Sequence, residues 1–264
     1  MSAAAVIAAV FGLLFGSFAN VVIYRLPNGE SIVRPPSHCT SCGKRLAAPD
    51  LIPVFSWLFL RGRCRYCRAK ISARYPAVEA ACAALFAYAA FDAYPSLTIT
   101  AAHCMLAFVL VCVTMIDADS QTIPDGLVIF CAACGLAWVA ASYFFELAGP
   151  VPTPYEALLG ALAGAGPLFI IDRLCLLILK KDGFGMGDVK LMLAAGLYLG
   201  PRLAFTSLFM AVIAGGLFGG ALLATGRVKR GGYFAFGPFL AAGVLAALWF
   251  GDAFLRFFFP IFYL

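Results

Sequence analysis

Apolar runs long enough to cross about 30 Å of hydrocarbon recur along most of this chain, the first being "AAAVIAAVFGLLFGSFANVVIY". A bilayer-spanning backbone must satisfy its own hydrogen bonds, which leaves helices or closed barrels. Unbroken apolar runs of this length are helical in character, so the chain reads as an all-α polytopic membrane protein. With 63% hydrophobic and 12% charged residues among 264, it is far too apolar for a soluble core of this size. The first run lacks a basic n-region and is long for a signal sequence, so it reads as a helix of the mature chain.

About eight membrane segments are expected, near 3–24, 77–93, 97–116, 126–148, 156–179, 188–200, 203–225 and 235–259. The second and sixth are short. Residues 25–76 form the one sizeable polar block, a small domain inserted between helices 1 and 2. The expected organisation is thus helix 1 at 1–24, the polar domain at 25–76 and a helical membrane domain at 77–264.

Lys and Arg set the orientation. Ten of the 19 basic residues lie in 25–76. With eight spans, that block shares a side with 117–125, 180–187 and 226–234 and with the adjoining helix ends that carry Arg173 and Lys190, giving a 17-to-2 split of basic residues. The positive-inside rule then places the polar domain and these loops in the cytoplasm and both termini outside it. The surplus charge is a topology signal that also suits anionic lipid. Nucleic acid is not an expected partner.

Two Cys-x2-Cys pairs, "CTSC" at 39–42 and "CRYC" at 64–67, are separated by 21 residues. Two such turns present four sulfurs to one tetrahedral ion, so Cys39, Cys42, Cys64 and Cys67 are the expected ligands of a structural Zn²⁺. Two disulfides or a redox pair are the competing readings, and a reducing cytoplasm disfavours the former. "CAAC" at 131–134 lies inside an apolar run, where Cys131 and Cys134 read as packing residues.

Acidic groups at membrane depth are costly and mark function. Asp117, in "MIDADSQTIPDG", closes the third segment; Asp188, in "GFGMGDVKL", opens the sixth. Both fall at the expected cytoplasmic edge. Two carboxylates sharing a proton can hydrolyse a peptide bond, one activating water and the other serving the carbonyl oxygen. The dipoles of their own helices predict that Asp117, at a C-terminus, keeps the shared proton while Asp188, at an N-terminus, stays an anion. Gly183, Gly185 and Gly187 are expected to let the backbone unwind and approach a substrate. A glycine-rich phosphate cradle is the rival, but no strand–helix alternation surrounds them. Asp119 and Asp125 lie near enough in sequence to substitute for Asp117, with capping or surface roles as the simpler reading. Asp172, deeper in "IIDRLCLLILKK", reads either as the partner of a cation on a neighbouring helix or as a group backing the active pocket.

"FGSFANVVIYRLP" at 15–27, "SHCTSCGKRL" at 37–46, "LIPVFSWLFLRGRCRYCRAKISARYPAVE" at 51–79, "DADSQTIPD" at 117–125, "GMGDVKL" at 185–191 and "FGPFLAAG" at 236–243 together resemble the type IV prepilin peptidase family. The matching order runs the length of the chain. The resemblance implies a Gly-x-Gly-Asp membrane aspartic protease of the bacterial inner membrane, multi-pass, its active site facing the cytoplasm. It would cleave the leader of prepilins and pseudopilins, then methylate the new N-terminus with S-adenosylmethionine. It implies Asp117 and Asp188 as catalytic, with Gly185, Gly187 and Lys190 in support. No Rossmann fingerprint marks a cofactor site. Glu79 is the methyltransferase candidate, a carboxylate able to orient or deprotonate an amine, and Asn20, Arg25, Arg74 and Tyr75 are polar groups that could join it. A peptidase without methyltransferase activity, an ion transporter with a zinc clip and a zinc-dependent scaffold are the alternatives.

Overall fold

The computed structural model describes residues 3–93, 95–145, 152–180, 183–225 and 234–259. Among these there are eight α-helices: α1 (Ala3–Arg25), α2 (Phe55–Phe59), α3 (Arg74–Asp92), α4 (Leu97–Ser120), α5 (Asp125–Phe144), α6 (Pro154–Leu179), α7 (Met186–Ala224) and α8 (Gly237–Phe258). No strand forms among the described residues; two isolated bridges, His38 with Arg45 and Arg63 with Lys70, are the extent of β pairing. Six helices, α1 and α4 to α8, are long and apolar enough to cross a membrane. The chain is therefore an all-α polytopic membrane protein. The segment expected at 77–93 is the helix α3, but it carries Arg74, Glu79 and Asp92 and is not among those six.

The chain divides into two compact units, residues 1–112 and 113–264. In the first, α1 packs on α3 through Gly12 and Gly16, a small-xxx-small pair. A Cβ on Gly16 would lie 2.6 Å from the Glu79 Cα, so the backbones touch where any side chain would separate them. Phe15 packs against Phe86 and Phe108 beside this seam, at centroid distances of 5.7 Å each. Between α1 and α3 runs the polar block, with α2 and a short 3₁₀ turn at Ala48–Leu51 as its only helices.

The second unit is organised around α7, which is two rods rather than one. Gly200 has φ 68° and ψ 174°, outside any helical region, and Pro201 opens the second rod. Only glycine adopts that backbone without strain, and proline suits the first turn that follows. The expected segments at 188–200 and 203–225 are these two arms, so counting them separately gives eight rods besides the short α2. The arms are antiparallel, as their contacts require. Gly187 lies against Ile123, and the Gly237 N–H reaches Asp117, so the starts of α7 and α8 share one end of the unit. The first arm climbs about 20 Å from that end. Leu203 then meets Gly251, Ser207 and Ala211 meet Gly243, and Gly215 returns to Phe236. The second arm has come back down along α8.

The remaining helices clasp the first arm. On α6, Gly160 and Gly164 lie against the carbonyls of Gly196 and Met192. On α5, the Cys131 carbonyl accepts from the Tyr198 hydroxyl at 3.0 Å, and Trp138 stacks on the same ring. Cys131 is fully buried, consistent with packing.

Candidate active sites

At the end of the second unit where α4 stops and α7 and α8 start, four pieces of chain converge. Asp117 lies in the last turn of α4 and is only 5% exposed. Asp188 is the third residue of α7, half-buried, after an N-cap at Gly185. The two carboxyl groups are close enough for their charges to interact. Asp119, two residues on from Asp117, is on the exposed side of α4. Asp125 is also exposed, and its carboxylate takes Lys190 Nζ at 2.8 Å. The burial difference separates Asp117 from its acidic neighbours, which sequence spacing alone did not. Lys190, expected as catalytic support, ties the start of α5 to α7 through this ion pair.

Asp117 is not governed by its own helix end alone. Its Oδ2 accepts the Gly237 N–H at 2.8 Å, so the N-terminus of α8 supplies a donor and a positive dipole end to it. The expectation that the dipoles of α4 and α7 would leave the shared proton on Asp117 omitted this third helix. A side chain at position 237 would displace the carboxylate, since its Cβ would come within 2.7 Å of Oδ2.

The glycine segment is held from behind. Asp172 on α6 is 1% exposed, and its Oδ1 accepts the N–H groups of Gly183 at 3.1 Å and Phe184 at 3.3 Å. Its Oδ2 pairs with Arg173, a neighbour on the same helix rather than on another one. Asp172 therefore fastens the backbone four and five residues before Asp188. Of the three glycines, Gly183 sits against Cys175 Sγ and Gly187 against Ile123, so both are needed for close approach. Gly185 has ordinary extended backbone, φ −68° and ψ 137°, rather than a glycine-only conformation. The expected unwinding is thus confined to the approach to α7, and the helix is regular from Met186.

The first unit holds a second polar assembly. The thiols of Cys39, Cys42, Cys64 and Cys67 lie within 4.8 Å of one another, and none is in a disulfide. Cys39 Sγ and Cys67 Sγ are 3.8 Å apart, the separation that two sulfurs about 2.3 Å from a tetrahedral Zn²⁺ would have. Each pair sits in a tight turn closed by backbone bonds, Gly43 N–H to Cys39 and Arg68 N–H to Cys64, with Gly43 and Arg68 at positive φ. The N–H groups of Cys42 and Ser41 hold the Cys39 thiol down to about 6, which favours the thiolate a metal needs. The cluster can hold a metal ion, and the donor set fits zinc.

Beside it, a cavity of about 520 Å³ opens between α1, α3 and the cysteine block; Asn20, Arg25, Trp57, Tyr75 and Glu79 are in its wall. Glu79 is buried, at 8% exposure, and its Oε2 accepts the Val54 N–H at 2.6 Å. Val54 has φ 61°, a costly conformation for a β-branched residue, so Glu79 also secures a strained turn. Asn20 bonds the Tyr75 carbonyl at 3.1 Å and braces the start of α3. Neither the Val54 contact nor the burial of Arg25 was visible in the sequence, because both partners come from the irregular block.

Comparison with known proteins finds two family models along the chain. Residues 10–93 match the family model described as Bacterial Peptidase A24 N-terminal domain, and residues 104–220 match the Type IV leader peptidase family. A prepilin leader peptidase/N-methyltransferase of Bacillus subtilis (strain 168) is 34% identical over 249 residues, covering 94% of this chain and 95% of the relative. The protein of that name from Aeromonas hydrophila is 36% identical, covering 94% and 91%. The one from Neisseria gonorrhoeae is 36% identical, covering 89% and 86%. No solved structure matches the chain.

Proposed function

Because the chain belongs to the Type IV leader peptidase family, we propose that it cleaves the leader of prepilins and pseudopilins and N-methylates the residue so exposed. The observation that supports the peptidase half is that buried Asp117 and half-buried Asp188 lie at one end of the unit, where α4, α7 and α8 converge. One carboxylate draws a proton from a water molecule, whose oxygen attacks the scissile carbonyl carbon. The other, protonated, donates to the carbonyl oxygen; as the gem-diol collapses it takes that proton back, while the first carboxyl passes the proton it drew from water to the leaving amine. The two act as a pair whose titration belongs to both. This makes the enzyme an aspartic endopeptidase. Gly185 leaves room beside Asp188 for an extended substrate, Gly187 lets the start of α7 lie close to Ile123, and the Lys190–Asp125 pair keeps the rim in place.

The methyltransferase half belongs to the first unit. S-adenosylmethionine supplies an electrophilic methyl group; Glu79 orients the new amine and takes its proton. A structural Zn²⁺ on Cys39, Cys42, Cys64 and Cys67 stabilises residues 25–76, a block too small to bury a sufficient core by itself. The basic-residue bias supports an inner-membrane location with this block and both carboxylates on the cytoplasmic side. The leader that the family resemblance implies is basic and would be repelled by a basic block, so recognition rests on the apolar pilin helix lying against the enzyme within the membrane, among lipid.

Incubating purified protein with prepilin and labelled S-adenosylmethionine tests both halves. Asp188→Ala should leave the leader attached. Glu79→Ala should trim it without transferring label. Trimming by Asp188→Ala would overturn the site assignment, and unlabelled product from the wild type would leave a peptidase alone.

A further inference from the structure

Arg25 is a buried cation without a counter-ion. It ends α1 and is only 6% exposed. Its one side-chain hydrogen bond runs from Nη1 to the Ser31 carbonyl at 3.1 Å. Among the described residues, no carboxylate lies within ion-pair distance of it. A guanidinium offers five N–H donors in a planar fork, so four are left uncommitted. Taking such a group out of water costs several kcal/mol unless an anion or further acceptors compensate. The uncommitted donors are not sealed in apolar packing, because Arg25 forms part of the wall of the 520 Å³ cavity.

The same wall carries the buried carboxylate of Glu79, whose Oε2 is held by a backbone N–H and by no cation. One cavity thus presents a buried positive and a buried negative group that do not neutralise each other. A ligand complementary to it carries both signs, separated along its own length. The volume falls in the general range of small-molecule pockets, about 300–1,000 Å³, which admits a nucleoside. The indole of Trp57 is fixed by a bond from Nε1 to the Ile71 carbonyl at 3.1 Å and adds aromatic surface to the wall.

We propose that this cavity is the seat of the methyl donor, an adenosyl amino acid, with Arg25 gripping its α-carboxylate and Glu79 facing its cationic centres. This rests on the methyltransferase reading above and assigns the place and the residues. Arg25 is the natural choice for the carboxylate, since a guanidinium pairs with it through two parallel hydrogen bonds. The anion could also come from a phospholipid headgroup, which shares the charge and the oxygen geometry but has no adenosine.

The test uses the full-length protein in detergent and needs no prepilin. Titration calorimetry compares S-adenosylhomocysteine with 5′-methylthioadenosine, which keeps the nucleoside and lacks the amino acid. Wild type should bind the first more tightly by about tenfold to a hundredfold, the scale of a charge-assisted pair. Arg25→Gln should lose that difference and leave 5′-methylthioadenosine binding unaltered. Arg25→Lys should recover only part of it. Metal content and the melting curve report whether each variant has folded, and the two-ligand comparison on wild type stands if one has not. Equal affinity of wild type for the two ligands would overturn the proposal, as would Arg25→Gln that still discriminates between them. Phosphorus analysis separates the other source. One anionic phospholipid retained per wild-type molecule and absent from Arg25→Gln, with no change in nucleoside binding, would assign the cation to a headgroup and overturn it too. Binding as predicted by a protein that never methylates prepilin would retain this site and remove the methyltransferase reading instead.

Discussion

The two units place polar groups by opposite means. In the second, every catalytic candidate sits on or next to a helix end, and the partners are helix termini: Asp117 with the N-terminus of α8, and Asp188 in the first turn of α7. In the first, the polar groups belong to helices but their partners come from an irregular block with four cysteines at its centre, such as Val54 for Glu79 and Ser31 for Arg25. A membrane helix satisfies its own backbone and so leaves only its ends to bind polar groups. Where more varied contacts are needed, an irregular loop must be ordered from outside, and a metal can do that with few residues. The second unit should therefore be robust to metal removal, and the first should not.

Metal removal should produce the largest effect. Cys64→Ser, or strong chelation of the wild type, should expose residues 30–73 to proteolysis, since structural zinc supplies apparent binding free energies of about 10–16 kcal/mol in isolated fingers. Protease mapping by mass spectrometry reads this, with cuts in 113–264 remaining rare. Equal cutting in both units would end the contrast drawn here.

Next come the carboxylates. Asp117→Asn and Asp188→Asn should each lower leader cleavage by about a thousandfold, the middle of the range for general acid–base groups. Neither should alter S-adenosylhomocysteine binding to the first unit. Gel-shift cleavage assays and calorimetry on the same preparations measure the pair of results, and a loss of nucleoside affinity in either variant would break the separation.

A sharper probe is Asp172. Replacing it with Ala removes the acceptor for two backbone N–H groups, whereas Asn retains one carboxamide oxygen for them. Asp172→Ala should cut kcat for cleavage by about tenfold or more, with Asp172→Asn recovering much of it. Equal damage from both would assign the effect to lost charge beside Arg173 rather than to a loosened glycine segment.

The smallest expected effect is electrostatic and lies in the cysteine block. Burial alone would raise the Asp50 carboxyl, but hydrogen bonds from Arg65 and the Ala47 N–H outweigh it and hold it below the usual range. A depressed carboxylate stabilises the fold above its unfolded pKa of about 3.9, and that stability fades as pH falls through the lower folded value. Asp50→Asn should thus melt slightly earlier than wild type at pH 7, and the gap should close in acid below pH 4. Trp57 fluorescence follows the transition.

Much of this arrangement could be read from the chain. The apolar runs located the helices, and the separate segments at 188–200 and 203–225 anticipated the break at Gly200, because glycine followed by proline is poor helix and good turn. The spacing of the cysteines named a metal cluster. The sequence could not distinguish Asp117 from Asp119 and Asp125, since residues two apart on a helix point in different directions and only burial tells which faces inward. It assigned Asp172 either to a cation on a neighbouring helix or to the back of the pocket; the structure gives it a cation on its own helix, Arg173, and the glycine segment. It named Arg25 and Glu79 only as candidates, with no sign that either was buried.

What the amino-acid order settled by itself was local: which stretches are helical, where they end, and which four sulfurs could share an ion. Those outcomes depend on periodicity, hydropathy and short spacings, all written within a few dozen residues. Which acids meet, which helix end serves Asp117 and which cation is left without a partner were decided by packing between elements 50 to 120 positions apart. Such contacts depend on which faces touch, and a glycine that lets two backbones meet matters only once the second backbone is in place.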